Sequence, residues 1–303
     1  MAFGTAMNRR SFLASLPVLA LMPPRRRMAV TMDDVNWAAV PAAFSETVLP
    51  RILEAIGTTK AALFVIGRHV DNEEGKRILS EWSGAGHFIG NHTYDHVPLY
   101  RASPEAFIGG IARNETLIES YPGFRKWFRF PLLKEGDSRE VRDVVREYLS
   151  RTGHRNAHVT IDASDWYFDE RLRRKLAYDP AFPVERFRDP YLAHIRDRVR
   201  FYDELCVEVL GRSVPHILLT HYNLLNALFL KDLLRVLEGD GFRFIDVDEA
   251  YSDPVYREPV DAIPAGESLI WSIAHASGKY EDRLRYPGED GEYEKPMLDR
   301  LGL

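Results

Sequence analysis

Met28-Ala29-Val30-Thr31-Met32-Asp33-Asp34 is a short apolar run that ends on two adjacent carboxylates, and the rest of the chain repeats that form. Apolar runs at 61–66, 87–90, 127–130, 157–161, 215–220 and 242–247 read as further strands, with 28–31 as the first. Amphipathic helical patterns lie between them. Asp71 with Glu74 has capping-box spacing, and Ser103-Pro104-Glu105 places proline at a first helical position. Asp137 with Glu140 opens another helix, which Gly153 closes. The longest helix covers 189–210, where Leu192, Ile195, Val199, Tyr202, Cys206 and Val209 step by three and four, so Cys206 reads as core. Strands alternating with helices imply right-handed crossovers and a parallel sheet, either open and doubly wound or closed as a β/α barrel.

Composition narrows the function. In 303 residues, 40 Lys+Arg stand against 45 Asp+Glu for a net charge of −5, and there is no basic stripe to bind nucleic acid. The single cysteine, Cys206, excludes an internal disulfide and a cysteine zinc cluster. No apolar run approaches the roughly 20 residues of a membrane span. No Gly-x-Gly-x-x-Gly or phosphate loop follows the first strand, so nucleotide binding has no support. Arg9-Arg10 ahead of an apolar stretch at 12–22 resembles a twin-arginine export signal, which predicts a periplasmic or secreted protein; otherwise residues 1–26 are a basic arm and the protein is cytoplasmic. The expected barrel then spans 27–252. The Pro-, Gly- and charge-rich segment 253–303 reads as an extension packed on it through Leu269-Ile270-Trp271-Ser272-Ile273.

The polar residues with chemical potential gather at the C-terminal ends of the expected strands, which meet at one mouth of a parallel barrel. Asp33 and Asp34 follow the first strand and His92 and His96 the third, Arg129 belongs to the fourth, Asp162 and Asp165 follow the fifth, and His221 ends the sixth. His92 and His96, four residues apart, can share one side of a turn. With one carboxylate of the Asp pair they make a His₂Asp set, three ligands with open positions, as in catalytic zinc-type sites. Such a set suits Zn²⁺, Co²⁺, Mn²⁺ or Fe²⁺. Side-chain alternation would let Asp34 take the metal while Asp33 faces substrate as a general base. Arg129 can hold Asp33 ionised, or be a barrel-end salt bridge, or both. His221 can donate a proton, with Asp165 fixing its tautomer. Asp162 serves either as a loop cap or in catalysis, and Trp166 as a pocket wall or core residue. His69 can border the pocket, His87, His158 and His216 read as core or rim, and His154, His194 and His275 read as surface.

Five of these clusters resemble, in order, the motifs of the polysaccharide deacetylases, the NodB-homology group of carbohydrate esterases (family 4 type). They are Thr31-Met32-Asp33-Asp34-Val35, His92-Thr93-Tyr94-Asp95-His96, Arg129-Phe130-Pro131, Asp162-Ala163-Ser164-Asp165-Trp166 and Leu219-Thr220-His221. The resemblance implies an α/β fold, a distorted (β/α)7 TIM-like barrel, and metal-dependent hydrolysis of acetyl groups on N-acetylated (also O-acetylated) glycans. It implies Asp33 as base, His221 with Asp165 as acid, and Arg129 as support for the base. Asp34, His92 and His96 would be the metal ligands, zinc being favoured. Pro131, Leu132, Trp166 and Leu219 would face the substrate, with a backbone N–H just after Pro131 at the oxyanion. Val35 stands where the family has glycine, and Leu132 where it often has an aromatic residue. Two other readings keep the fold: a hydrolase of small linear or cyclic amides, and a non-catalytic carbohydrate-binding barrel.

Overall fold

The computed structural model describes Met1, residues 26–284 and residues 291–303. The export signal expected at the N-terminus therefore lies outside the described residues, apart from Met1 and Arg26.

Strand β1, Arg26–Asp34, is nine residues long and the sheet is built on it. β2 is Ala62–Val65, β3 Phe88–Asn91, β4 Phe124–Phe128, β5 Lys134–Gly136, β6 Arg155–Asn156, β7 His216–His221, β8 Phe242–Phe244 and β9 Ala265–Gly266. Seven of these form one parallel sheet in the order β6-β4-β3-β2-β1-β7, with β8 beside the start of β1. The sheet curls until the chain after β6 meets β7 through one parallel bridge, Ile161 to Leu218. The result is the distorted (β/α)7 barrel. β2 is buried at every position, as a parallel strand covered on both faces must be.

Alternation along β1 sets the two cores. Met28, Val30 and Met32 pack outward against the helices. Ala29 packs inward with Ala62, Phe64, Ile217 and Leu219. Thr31 and Asp33 share the inward parity of Ala29 and are buried. The Asp33 carboxyl thus belongs to the barrel interior by register alone.

Some elements differ from the sequence expectation. β4 ends at Phe128, so Arg129 lies one residue beyond it. The expected strand at 157–161 is not one ladder: Ala157 N–H donates to Phe128 O at 2.7 Å, whereas Thr160 and Ile161 N–H donate to Ile217 O at 3.1 Å. The segment changes partners where the barrel is pinched. Asn72, not Asp71, caps the helix Glu73–Gly84 by accepting from Gly75 N–H at 2.9 Å. Ser138, not Asp137, caps Arg139–Arg151. Ser103 caps Pro104–Ile118 as expected, and Cys206 is buried in the helix Arg188–Leu210. The antiparallel pair β5–β9 is too short to leave a pattern in the sequence. No helix among the described residues is long and apolar enough to cross a membrane.

The chain leaves β1 by a left-handed turn, with φ of 82° at Asp34 and 57° at Val35. A β-branched residue disfavours that region, at a cost of roughly 1–2 kcal/mol. The Val35 side chain is fully buried in the outer core, an effect worth about 1.5–3 kcal/mol. Val35→Gly should therefore cost only about 1 kcal/mol in urea denaturation, because relief of strain offsets much of the lost burial. A loss above about 3 kcal/mol would mean that the turn carries no strain.

Candidate active site

Both carboxylates of the Asp pair reach one pocket, although strict alternation would send them to opposite faces. The left-handed backbone at Asp34 and Val35 redirects the second one. His92 follows β3, and Thr93 and His96 are also left-handed, with φ of 63° and 59°. The His96 N–H is held by Thr93 Oγ1 at 3.1 Å, which folds the His-x-x-x-His segment over the pocket. Strained residues gather at this rim, as they do where geometry is fixed by function.

The Asp34, His92 and His96 ligand atoms lie within 4.8 Å of one another. His92 Nε2 and His96 Nε2 are 3.2 Å apart, and each is 3.6 Å from Asp34 Oδ1. Asp34 Oδ1 is buried and accepts no hydrogen bond. His92 Nδ1–H donates to Arg129 O at 2.8 Å, leaving the Nε2 lone pair facing Asp34. Burial holds both imidazoles below their ordinary value, His92 well below it, so they are neutral, the form that binds a cation. Burial pushes the Asp34 carboxyl up, but His96, His221 and His92 outweigh it and it stays below its ordinary value. An orphaned carboxylate oxygen between two neutral imidazoles fits a divalent metal ion.

Beside this cluster stands Asp33. Its Oδ1 accepts from the Arg129 guanidinium at 2.6 Å, and its Oδ2 is 3.7 Å from His92 Nε2. Burial is the largest influence on Asp33 and lifts it to about 6, with Arg129 pulling the other way. Arg129 also donates to Thr31 Oγ1, Ala157 O and Tyr251 Oη and lies 3.9 Å over the Phe64 ring.

His221, the register partner of Asp33 on β7, also lines the pocket, with Nδ1 2.7 Å from Asp165 Oδ1. Burial pushes the imidazole down, but the charge and hydrogen bond of Asp165, then Asp34 and Asp33, carry it to about 10. Asp165 Oδ2 accepts from the His221 N–H, Asn223 Nδ2 and Asn226 Nδ2 at 2.9, 3.2 and 2.6 Å. Asn226 Oδ1 in turn accepts from Tyr191 Oη at 2.6 Å.

These groups open on a pocket of about 260 Å³ whose walls include Leu132, Leu133, Trp166 and Leu219. Asp162 lines it too, whereas Pro131 is buried beside it. A second pocket of about 120 Å³ shares Asp34, Trp166 and His221 with the first. His69 is one step back, its Nδ1–H donating to Asp34 O at 3.1 Å.

Sequence reading missed Leu133, Ser164, Asn226, Tyr191 and Tyr251. Asn223 was findable, since its side chain caps the helix Leu224–Gly239. Tyr251 was not, since it reaches Arg129 across 122 residues. His154, expected at the surface, is buried because its imidazole meets Glu115 at 2.7 Å and Thr152 at 2.8 Å. His194 and His275 are half-buried, His194 with its Nε2 facing the Ser164 N–H.

The sequence profile of the family described as "Polysaccharide deacetylase" matches residues 21–157, which carry Asp33, Asp34, His92, His96 and Arg129. Residues 21–157, just under half of the chain, thus resemble the polysaccharide deacetylase family. It is 25% identical over 170 residues to the peptidoglycan-N-acetylglucosamine deacetylase PgdA of Listeria monocytogenes, covering 54% of this chain and 32% of that protein. The chain thus spans about a third of the length of that relative. Among solved structures, the Bc1960 peptidoglycan N-acetylglucosamine deacetylase superposes with a TM-score of 0.51 at 18% identity, over 75% of this chain and 88% of that one. BA3943, a CE4 family pseudoenzyme from Bacillus anthracis, gives 0.50 at 21% identity, over 76% and 66%. At these identities the superpositions show the fold alone.

The geometry predicts a graded loss of divalent-cation affinity, read with zinc as the probe in a competition titration with a chromogenic chelator. Asp34→Ala and His96→Ala should each lose more than about a hundredfold, whereas His69→Ala, which frees only the Asp34 carbonyl, should lose about tenfold.

Proposed function

We propose that the protein is a metal-dependent deacetylase that hydrolyses N-acetyl groups, and by the same chemistry O-acetyl groups, on a cell-wall or related glycan. The observation that carries this reading is the arrangement of the pocket floor. A His₂Asp cluster shares its pocket with a guanidinium-held carboxylate and a carboxylate-held imidazole, which stand on the adjacent strands β1 and β7. Hydrolysis of an amide needs a base for water and an acid for the departing nitrogen.

Zn²⁺ is the ion we favour for Asp34, His92 and His96, with Co²⁺, Mn²⁺ or Fe²⁺ compatible; when bound, it would supply Lewis-acid polarisation of the carbonyl and lower the pKa of water. Asp33 accepts the proton of the attacking water, and Arg129 orients that carboxylate. His221 gives its proton to the nitrogen as the C–N bond breaks, releasing acetate and a free amine. Asp165 keeps His221 in the tautomer that presents Nε2 to the substrate. The acetyl methyl lies against Leu219 and Leu132, and the Leu132 backbone N–H serves the developing oxyanion.

A second pocket that shares the Asp34, Trp166 and His221 walls supports an extended glycan over a small amide, because it offers room beside the acetyl position. Trp166, half-buried between them, offers a face for a sugar ring. The Arg9-Arg10 motif supports export through a twin-arginine route to the compartment where such a glycan is found.

The test is acetate release from N-acetylglucosamine oligomers and peptidoglycan by stripped and zinc-reloaded protein. Asp33→Asn should keep zinc and lose roughly 10²–10⁴-fold in kcat. Tight zinc binding with no release from any glycan would sink the glycan reading and turn the search to small amides.

The pH profile follows from the same groups. Activity should rise as pH climbs through the Asp33 ionisation, at about 6 in the metal-free protein and lower with a cation beside it. It should fall where His221 loses its proton, at about 10 in the metal-free protein and lower with a cation offsetting Asp34. Asp165→Asn removes the largest upward influence on His221, so the alkaline limb should move to lower pH while the acid limb stays.

A further inference from the structure

Leu132 and Leu133 are two successive left-handed residues, with φ of 55° and 58°, and both line the pocket. That backbone is unfavourable for any residue with a Cβ, so something outside the turn must hold it. The support comes from far along the chain. β9 pairs antiparallel with β5, placing Gly266 opposite Lys134 and Ala265 opposite Gly136. The Glu267 N–H donates to Leu133 O at 3.0 Å, and the buried Glu267 carboxylate pairs with the Lys134 ammonium.

Gly266 makes the approach possible. Its φ of 114° suits glycine, and a Cβ there would stand 1.9 Å from Leu133 O and 2.9 Å from Glu135 N. The other end of the segment is anchored as well. Ser268 Oγ donates to Thr160 O at 2.8 Å, and Leu269 N–H to Val159 O at 2.7 Å, on the stretch that leads to Asp162 and Asp165. Residues 265–268 therefore tie two walls of the pocket together.

We propose that residues 265–268 are a strut that fixes the Leu132–Leu133 wall at the size of an acetyl group, with Gly266 and Glu267 as positioning residues. This rests on the deacetylase reading for its substrate, though not for the strut itself. A wall held in a strained turn cannot retreat to admit a longer acyl chain; with the strut loosened, the turn relaxes and the pocket widens.

The test uses the zinc-loaded full chain, with Glu267→Gln as the main variant and Gly266→Ala as the more severe one. In Glu267→Gln, amide exchange across 131–136 should accelerate at least tenfold. The preference for N-acetyl over N-butyryl glucosamine oligomers, as a ratio of kcat/KM, should drop at least fivefold, with zinc affinity within twofold of the parent. Gly266→Ala, if it folds, should move both further. A parallel loss on both substrates with the ratio intact, or exchange and ratio both unchanged, would overturn the proposal. If the parent protein releases acyl groups from neither substrate, the deacetylase reading fails, and the exchange measurement alone decides whether the strut exists.

Discussion

The Arg129 guanidinium is buried to 1% exposure, and a buried cation without partners is too costly to keep. Its surroundings are therefore dictated. The Asp33 carboxylate, the Thr31 hydroxyl, the Ala157 carbonyl and the Tyr251 hydroxyl each take one of its faces or edges, and Phe64 lies under it. Those partners come from β1, β2, the segment after β6 and the helix Val247–Tyr251. Its own carbonyl orients His92. One residue thus joins the proposed base to a proposed metal ligand and pins the pinched part of the barrel. The sequence allowed Arg129 a barrel-end salt bridge, a catalytic support or both; the fold shows the salt bridge to Asp33, the contact that the proposed support would use.

Around that anchor the rim is built from backbone that L-residues avoid. Asp34, Val35, Thr93, His96, Leu132 and Leu133 all have positive φ. None is glycine, so each conformation is held by its surroundings: Val35 by outer-core burial, His96 by the Thr93 hydroxyl, and Leu133 by the Glu267 amide. Strain of this kind persists only where packing over-determines it. The strands deliver residues to the mouth, and the strained turns aim them.

This division explains what could be read in the sequence. The strands, the rim clusters and the pairing of His92 with His96 are local patterns, visible as apolar runs ending in polar residues. Asp33 and Asp34 were legible as a pair, yet alternation predicted that they diverge; the turn that reunites them depends on a buried valine where a glycine would be expected. The helix starts were off by one residue because Asn72 and Ser138 compete with neighbouring aspartates for the cap, and backbone conformation decides between them. Tyr251, Gly266 and Glu267 were not legible. Their contacts span more than 100 residues, and β9 is only two residues long.

The electrostatics of the floor carry the argument one step further. Asp33 and His221 have opposite proton affinities for opposite reasons. Burial lifts the carboxyl until it can accept a proton near neutrality, whereas neighbouring carboxylates overcome burial and keep the imidazole charged. Asp33, Asp34 and Asp165 face the cations Arg129 and His221, with Asp162 also on the pocket wall, while His92 and His96 remain neutral. Arg129 is committed to Asp33 and His221 to Asp165, so the Asp34 charge has no cation of its own, and its Oδ1 lacks even a hydrogen bond. A divalent ion there would turn the single negative charge of Asp34 into a net positive one at that point. That sign is the one a tetrahedral oxyanion needs beside it, and no rearrangement of the protein's own charges would provide it.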